Sequence, residues 1–204
     1  MRILNLFAGI GGNRLLWGDN HEITAVELNP DIAAEYQRRF PKDTVIVANA
    51  FDYLIENFHK WDLIWASPPC QSHTKMMKGT RHNVLKYPDF RLWEVITVLQ
   101  HFSKCKWIVE NVIPYYTPLI APTIQISRHL FWCNFYVSKI ETKFEKIQGQ
   151  DGNKRFGISL ENVKINHRKD QLLKNLVDPE IGLHFLNRAF DIVENSKVKQ
   201  QTLF

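Results

Sequence analysis

Three cysteines in 204 residues, Cys70, Cys105 and Cys133, make an odd set without a C-x-x-C pair. That spacing excludes a disulfide framework and a cysteine-based zinc site, so no metal is expected. Few cysteines and no pairing pattern point to a reducing compartment, the cytoplasm. No apolar run approaches the ~20 residues that a bilayer crossing requires, so no membrane partner is expected. The run Met1–Phe7 passes straight into a glycine-rich turn, which leaves no room for a signal peptide. No G-K-[ST] follows those glycines, which argues against a phosphate-cradling P-loop. Repeats and low-complexity tracts are absent as well.

What is present is the composition of an ordinary globular protein, 45% apolar and 23% charged, in a chain long enough to bury one substantial core. The net charge of +5 is uneven: residues 1–102 carry 11 Lys/Arg against 11 Asp/Glu, and residues 103–204 carry 15 against 10. A basic second half suits an anionic partner.

The most distinctive stretch is Ala66-Ser67-Pro68-Pro69-Cys70-Gln71, after the apolar run Leu63-Ile64-Trp65. Consecutive prolines can neither donate to a sheet ladder nor continue a helix, and each restricts the residue before it. The chain therefore leaves a strand at a stiff corner that aims Cys70 outward. Cys105 and Cys133 lack such flanks and are expected to be small core residues.

Around that corner the chain alternates strand-like and helix-like segments. Ile3–Phe7 is a strand, Ala8-Gly9-Ile10-Gly11-Gly12 a turn, and Asn13–Trp17 the expected start of a short helix. Glycines there admit positive φ and close approach of a ligand to the backbone. About 20 residues on, Ile23–Val26 ends in Glu27, placed as the acidic strand-end residue that accepts hydrogen bonds from ribose hydroxyls in nucleotide-binding folds. A helix from Pro30 to Phe40 follows, stopped by Pro41. Further strands are expected at Thr44–Val47, Leu63–Ala66 and Trp107–Val109, with a helix over 90–102. This alternation predicts an α/β fold, a mostly parallel sheet with helices on both faces, binding ligands beyond the carboxyl ends of its strands. Glu27, Asn49, Cys70 and Glu110 all stand at such ends. A thiol and a carboxyl beside a glycine turn suit nucleophilic catalysis with a nucleoside-containing cofactor.

Phe7-Ala8-Gly9-Ile10-Gly11-Gly12, Pro68-Pro69-Cys70-Gln71 and Glu110-Asn111-Val112, in this order and spacing, resemble the signature motifs of the cytosine-C5 DNA methyltransferases. The resemblance covers residues 1 to about 136. It implies a Rossmann-like catalytic domain that uses S-adenosyl-L-methionine, without a metal, to methylate cytosine in double-stranded DNA. By the same resemblance Phe7, Ala8, Gly9, Ile10, Gly11 and Gly12 receive the methionine part of the cofactor, and Glu27 its ribose. Leu28 then packs on the adenine, Asn49 and Ala50 lie near its amino group, and Pro68 lines the pocket. Asn49 departs from the usual aspartate, but its amide oxygen can still accept a hydrogen bond.

Cys70 is the implied nucleophile and Glu110 the group at the N3 edge of the base, with Asn111 bracing the Cys70 loop. Thiolate addition to C6, with N3 protonated or hydrogen-bonded, makes C5 reactive toward the methyl group. A free cysteine has a pKa of about 8.5, so the anion needs support. Lys75, Lys78, Arg81, Lys86 and Arg91, against the single acid Asp89, can supply positive potential. Ile126–Trp132, preceding an expected strand, stands where the family has Gln-x-Arg-x-Arg; Arg128 is kept and implied to support catalysis, while His129 and Leu130 follow it.

The expected organisation is a catalytic and cofactor-binding unit over 1–136, a small basic insert over 137–175, and a C-terminal helix over 176–204 packing back beneath the cofactor pocket. The insert has nine Lys/Arg against five acids and the turn-rich stretch Gly149-Gln150-Asp151-Gly152-Asn153. It is small for reading many base edges, which suggests a short target held mainly through phosphate. RNA is the alternative substrate, since the Ser67–Gln71 wording also resembles the tRNA-directed branch. A non-catalytic subunit of a split enzyme, with a protein partner supplying target recognition, is the other alternative. A prokaryotic or phage-encoded cytoplasmic enzyme fits the leading reading.

Overall fold

A computed structural model describes residues 1–74, 87–141 and 154–191. Four of the basic residues after Cys70, Lys75, Lys78, Arg81 and Lys86, lie outside these, as do residues 149–153 and 192–204.

The strands are β1 (Arg2–Leu6), β2 (Glu22–Glu27), β3 (Thr44–Val47), β4 (Leu63–Ala66), β5 (Lys106–Val112), β6 (Ile124–Ile126) and β7 (His129–Cys133). They form one sheet in the order β3-β2-β1-β4-β5-β7-β6. The first five are mutually parallel, β7 runs antiparallel to β5, and β6 antiparallel to β7. This is the mostly parallel, Rossmann-like sheet expected from the strand–helix alternation. A two-stranded ribbon, β8 (Lys154–Arg155) and β9 (Ile158–Ser159), stands apart from it.

Strands covered on both faces read as continuous apolar runs. Alternate residues supply the two layers. Leu4, Leu6, Ile64, Ala66 and Val109 pack with α2 (Ala50–Asn57) and α3 (Arg91–Phe102). Ile3, Ile23, Leu63, Trp65 and Ile108 pack with α5 (Pro179–Ala189) through Ile181, Phe185 and Leu186. Trp65 is fully buried, its ring 5.8 Å from Phe185 and 5.9 Å from Trp17. Each such fully buried side chain contributes roughly 1.5–3 kcal/mol.

Helix α1 (Pro30–Arg39) starts where Asn29 accepts from the Asp31 and Ile32 N–H groups and Pro30 sets the first φ. The same arrangement, Asp178 then Pro179, starts α5. Between α4 (Lys169–Lys174) and α5 the chain passes under the glycine turn.

Four segments differ from their expected form; the C-terminal helix, expected over 176–204, runs from Pro179 to Ala189 among the described residues, because Asp178 caps it and Pro179 opens it. Asn13–Trp17 makes turns, not a helix, with i to i+3 bonds from Leu15 N–H to the Gly12 carbonyl and Trp17 N–H to the Arg14 carbonyl. Its polar side chains are committed inward, and α5 lies directly on it: a Cβ on Gly182 would sit 2.1 Å from the Asn13 carbonyl oxygen. Ile126–Trp132 does not precede a strand but is itself most of a hairpin, β6 turning into β7 at Ser127 with φ +53°. Strand β5 continues past Val109, so Glu110 and Asn111 are strand residues opposite Phe131 and Leu130.

Candidate active site

The strand order reverses between β1 and β4, where β2 and β3 extend one way and β5 the other. Ligands of open α/β sheets bind beyond the strand ends at such a switch point. Leu6 pairs with Ala66 there, and Ser67 N–H donates to the Leu6 carbonyl, so the glycine turn and the Pro-Pro-Cys corner emerge side by side.

The glycine turn is built from backbone. Phe7 and Gly9 take φ of +56° and +54°. Ala8 N–H donates to the Val26 carbonyl and Gly9 N–H to Glu27 Oε2 at 3.0 Å. Ala8 and Ile10 turn their side chains inward, Ile10 among Leu172, Leu173 and Leu176. The glycines serve different ends. A Cβ on Gly11 would lie 2.3 Å from the Phe40 ring, and one on Gly12 2.8 Å from the Val177 carbonyl oxygen, so both are demanded by packing. At Gly9 no described atom lies within 4 Å of a Cβ position, which leaves its backbone open to a ligand.

Glu27 is held ready. Its second oxygen accepts from Asn29 N–H at 3.0 Å, tying the end of β2 to both the glycine turn and α1. A carboxylate has lone pairs left after two such bonds. Leu28, next along, is 68% exposed. Asn49 caps α2 by accepting from Phe51 N–H at 3.0 Å, and Ala50 begins the helix buried. One lone pair therefore remains on the Asn49 amide oxygen. Phe51 packs edge-on against Phe7 at 4.7 Å, under the Arg91 guanidinium at 4.5 Å.

Beneath the turn lies a polar network that the sequence reading missed. Arg14 makes a bidentate pair with Asp43 at 2.9 and 3.0 Å, and Tyr36 donates to the same carboxylate at 2.9 Å. Asn5 and Asn13 exchange carboxamide hydrogen bonds. Asn5 inside an otherwise apolar strand was the available signal. These buried groups satisfy one another, as burial requires, and fix the turn to α1 and the approach to β3.

At the second strand end, Pro68 is buried and its carbonyl accepts from Asn111 Nδ2 at 3.0 Å, the brace expected of that asparagine. Cys70 is partly exposed and its carbonyl accepts from His73 and Thr74 N–H. The described residues on either side of 75–86 are tied together: Asp89 N–H donates to Ser72 Oγ, and His73 Nδ1 meets the Tyr116 hydroxyl at 2.6 Å. Of the expected basic residues here, the described one, Arg91, is paired with Asp89 at 2.6 Å.

Glu110 is buried, and desolvation pushes its carboxyl up to about 7, against opposing effects of a Ser67 hydrogen bond and the Arg128 charge. Burial also raises the Cys70 thiol, and the Glu110 charge adds to this, while its own backbone hydrogen bond and Arg128 work the other way. Arg128 stands in the β6–β7 turn and donates to the Lys174 carbonyl, and its charge bears on both groups. So the structure brings together Cys70, Glu110 and Arg128, and sets Gly9, Glu27, Leu28 and Asn49 on the neighbouring strand ends. Among the described residues no group of three or more His, Cys, Asp or Glu could hold a metal ion, and no helix is long and apolar enough to cross a membrane.

The profile of the C-5 cytosine-specific DNA methylases matches residues 1–114, more than half of the chain. The chain belongs to this family. Among solved structures it is similar to a DNMT2 variant from Spodoptera frugiperda, at 28% identity and a TM-score of 0.38. That likeness covers 54% of this chain and 35% of the other, so the chain spans about a third of the length of that relative. The Entamoeba histolytica methyltransferase EhMeth is similar over 55% of this chain and 38% of its own, at 18% identity and a TM-score of 0.38. A SAM-dependent methyltransferase from Agrobacterium tumefaciens is similar over 57% and 40%, at 13% identity and a TM-score of 0.41. No curated protein matches the chain. Membership of the C-5 methylase family makes the switch-point end of the sheet, with its thiol and buried carboxyl, the candidate active site.

Proposed function

We propose that this protein is a DNA cytosine-C5 methyltransferase that uses S-adenosyl-L-methionine, with Cys70 as nucleophile and Glu110 as the acid at the base. The observation that carries the proposal is the buried Glu110 carboxyl, raised to about 7, beside the Cys70 thiol at the sheet's switch point. When bound, S-adenosyl-L-methionine supplies the electrophilic methyl group. The open backbone at Gly9 and the doubly anchored Glu27 fit its methionine and ribose parts.

Protonation of the pair decides the chemistry. An ionised Glu110 holds the proton on Cys70, because two neighbouring anions repel in a desolvated site. With the proton on Glu110 that repulsion vanishes. Cys70 can then lose its proton to solvent and add to C6, opening the C5–C6 double bond while Glu110 donates to N3; once C5 carries the methyl group, loss of the C5 proton to solvent re-forms that bond and expels the Cys70 thiolate, which Arg128 favours throughout. The base must leave the helix stack to reach Cys70 and the buried Glu110, a cost of a few kcal/mol that protein–nucleic acid contacts offset. Residues 1–136 form the catalytic unit in this proposal, 137–175 a small basic recognition insert, and 176–204 a C-terminal unit whose helix α5 packs back on the catalytic unit. The insert's Lys and Arg side chains serve mainly to hold phosphate.

Trapping tests this directly. Incubated with S-adenosyl-L-methionine and 5-fluorocytosine in duplex DNA, the protein should form a covalent complex that Cys70→Ala abolishes while keeping cofactor binding. A parallel arm with fluorinated RNA assigns the substrate. No adduct on either polymer, from protein that binds the cofactor, would remove Cys70 from this role.

A further inference from the structure

Glu110 has another close polar neighbour besides Ser67, Arg128 and Cys70. His129 Nε2 lies 3.6 Å from Glu110 Oε1, with side-chain exposures of only 6% and 9%. Strand register accounts for the approach. Phe131 stands opposite Glu110 and His129 opposite Val112, so by alternation these four share one face of the β5–β7 pair. Leu130 points to the other face, among Trp132, Val109 and Leu92. The family pattern Gln-x-Arg-x-Arg therefore meets this fold with its second arginine replaced by a core leucine. The residue between the arginine positions is the one that faces the carboxyl.

A buried imidazole beside a buried carboxyl costs desolvation that an apolar side chain would not. The edge of the Phe131 ring, 6.3 Å away between centroids, limits how the imidazole can turn. A separation of 3.6 Å closes to a hydrogen bond with about half an ångström of movement, and such contacts in unliganded sites commonly tighten when substrate binds.

We propose that His129 is a positioning residue for Glu110, its Nε2–H holding the Oε1 edge of the carboxyl so that the other oxygen faces N3 of the base. The inference rests on the role of Glu110 proposed above. His129 does not touch the base.

The test reads the carboxyl itself, in the full chain with ¹³C-carboxyl glutamate, using Glu110→Gln to identify the signal. An N–H donor favours the ionised acid, so His129→Leu should raise the Glu110 titration midpoint, while His129→Gln, which retains a donor, should stay nearer the parent. Single-turnover methylation should fall about 100-fold in the leucine variant and recover partly in the glutamine variant. An unmoved midpoint in a folded His129→Leu protein overturns the inference. If that variant does not fold, a His129→Gln protein with an unmoved midpoint and a loss as large as that expected of leucine does the same. A parent protein inactive on every cytosine polymer would instead sink the methyltransferase reading, and the titration would still decide the His129 contact.

Discussion

Asn111 Nδ2 donates to the Pro68 carbonyl at 3.0 Å, joining the residue after Glu110 to the residue two before Cys70. The contact is buried, and the Asn111 amide oxygen is itself occupied by Val112 N–H. The spacing of thiol and carboxyl is therefore set by a tie between β5 and the corner after β4, not by contact between the two reactive groups. Asn111→Ala strands the Pro68 carbonyl without a donor, at a cost of about 1–3 kcal/mol. A lower melting temperature and a slower single-turnover rate, with cofactor affinity kept, are the expected results. An unchanged rate in a destabilised variant would show that Cys70 is positioned by other means.

Glu27 and Glu110 should separate in a binding experiment. Glu27→Ala removes the acceptor of two backbone N–H groups and the proposed ribose contact together, so cofactor affinity should fall by at least about tenfold, one hydrogen bond to a charged group being worth roughly 1.5–3 kcal/mol. Glu110→Gln should bind cofactor normally and slow the chemistry. Titration calorimetry and single-turnover kinetics on the two variants check this; a reversal of the pattern would exchange the assigned roles.

The raised Glu110 carboxyl has a stability consequence of definite sign. Its value moves from an ordinary 4.5 to about 7 on folding, so between those values the native state binds more protons than the unfolded chain. Stability from this group is greatest at or below pH 4.5 and declines as pH rises to about 7, by a few kcal/mol in all. Glu110→Gln abolishes that decline. Melting curves at pH 5 and pH 8 should show the variant gaining on the parent at the higher pH. Parallel losses in both proteins would mean that Glu110 ionises freely.

Two glycines should respond in opposite ways. Gly182→Ala drives a methyl into the Asn13 backbone and should destabilise the fold by about 1–3 kcal/mol or more, because neither helix nor turn can yield cheaply. Gly9→Ala meets open space and bears only the strain of φ +54°, roughly 1–2 kcal/mol. It should fold and lose cofactor affinity. Thermal melting with calorimetry distinguishes the two; a Gly9→Ala protein with full affinity would show that no ligand approaches that backbone.

Local pattern along the chain was enough to place the sheet and the residues at its edge. Apolar runs punctuated by glycine and proline can be satisfied only as buried strands and the turns between them, so β1 to β5 and the Cys70 corner were legible from local pattern. The Glu110-Asn111 pair was legible too, although its strand was expected to stop sooner, since β-pairing with β7 extends it and pairing is not a local property. The rest depended on contacts between segments far apart in the chain. Asn13–Trp17 carries helical spacing yet makes turns, because Arg14, Asn13 and the close approach of Gly182 outweigh one short helix's propensity. His129 looked like an interruption of a motif and became a neighbour of Glu110 only through antiparallel register, which no stretch of sequence encodes. The protonation of Glu110 belongs to the same class. A carboxyl's pKa is set by the solvent it loses and the charges it meets, and both arrive from segments distant in the chain.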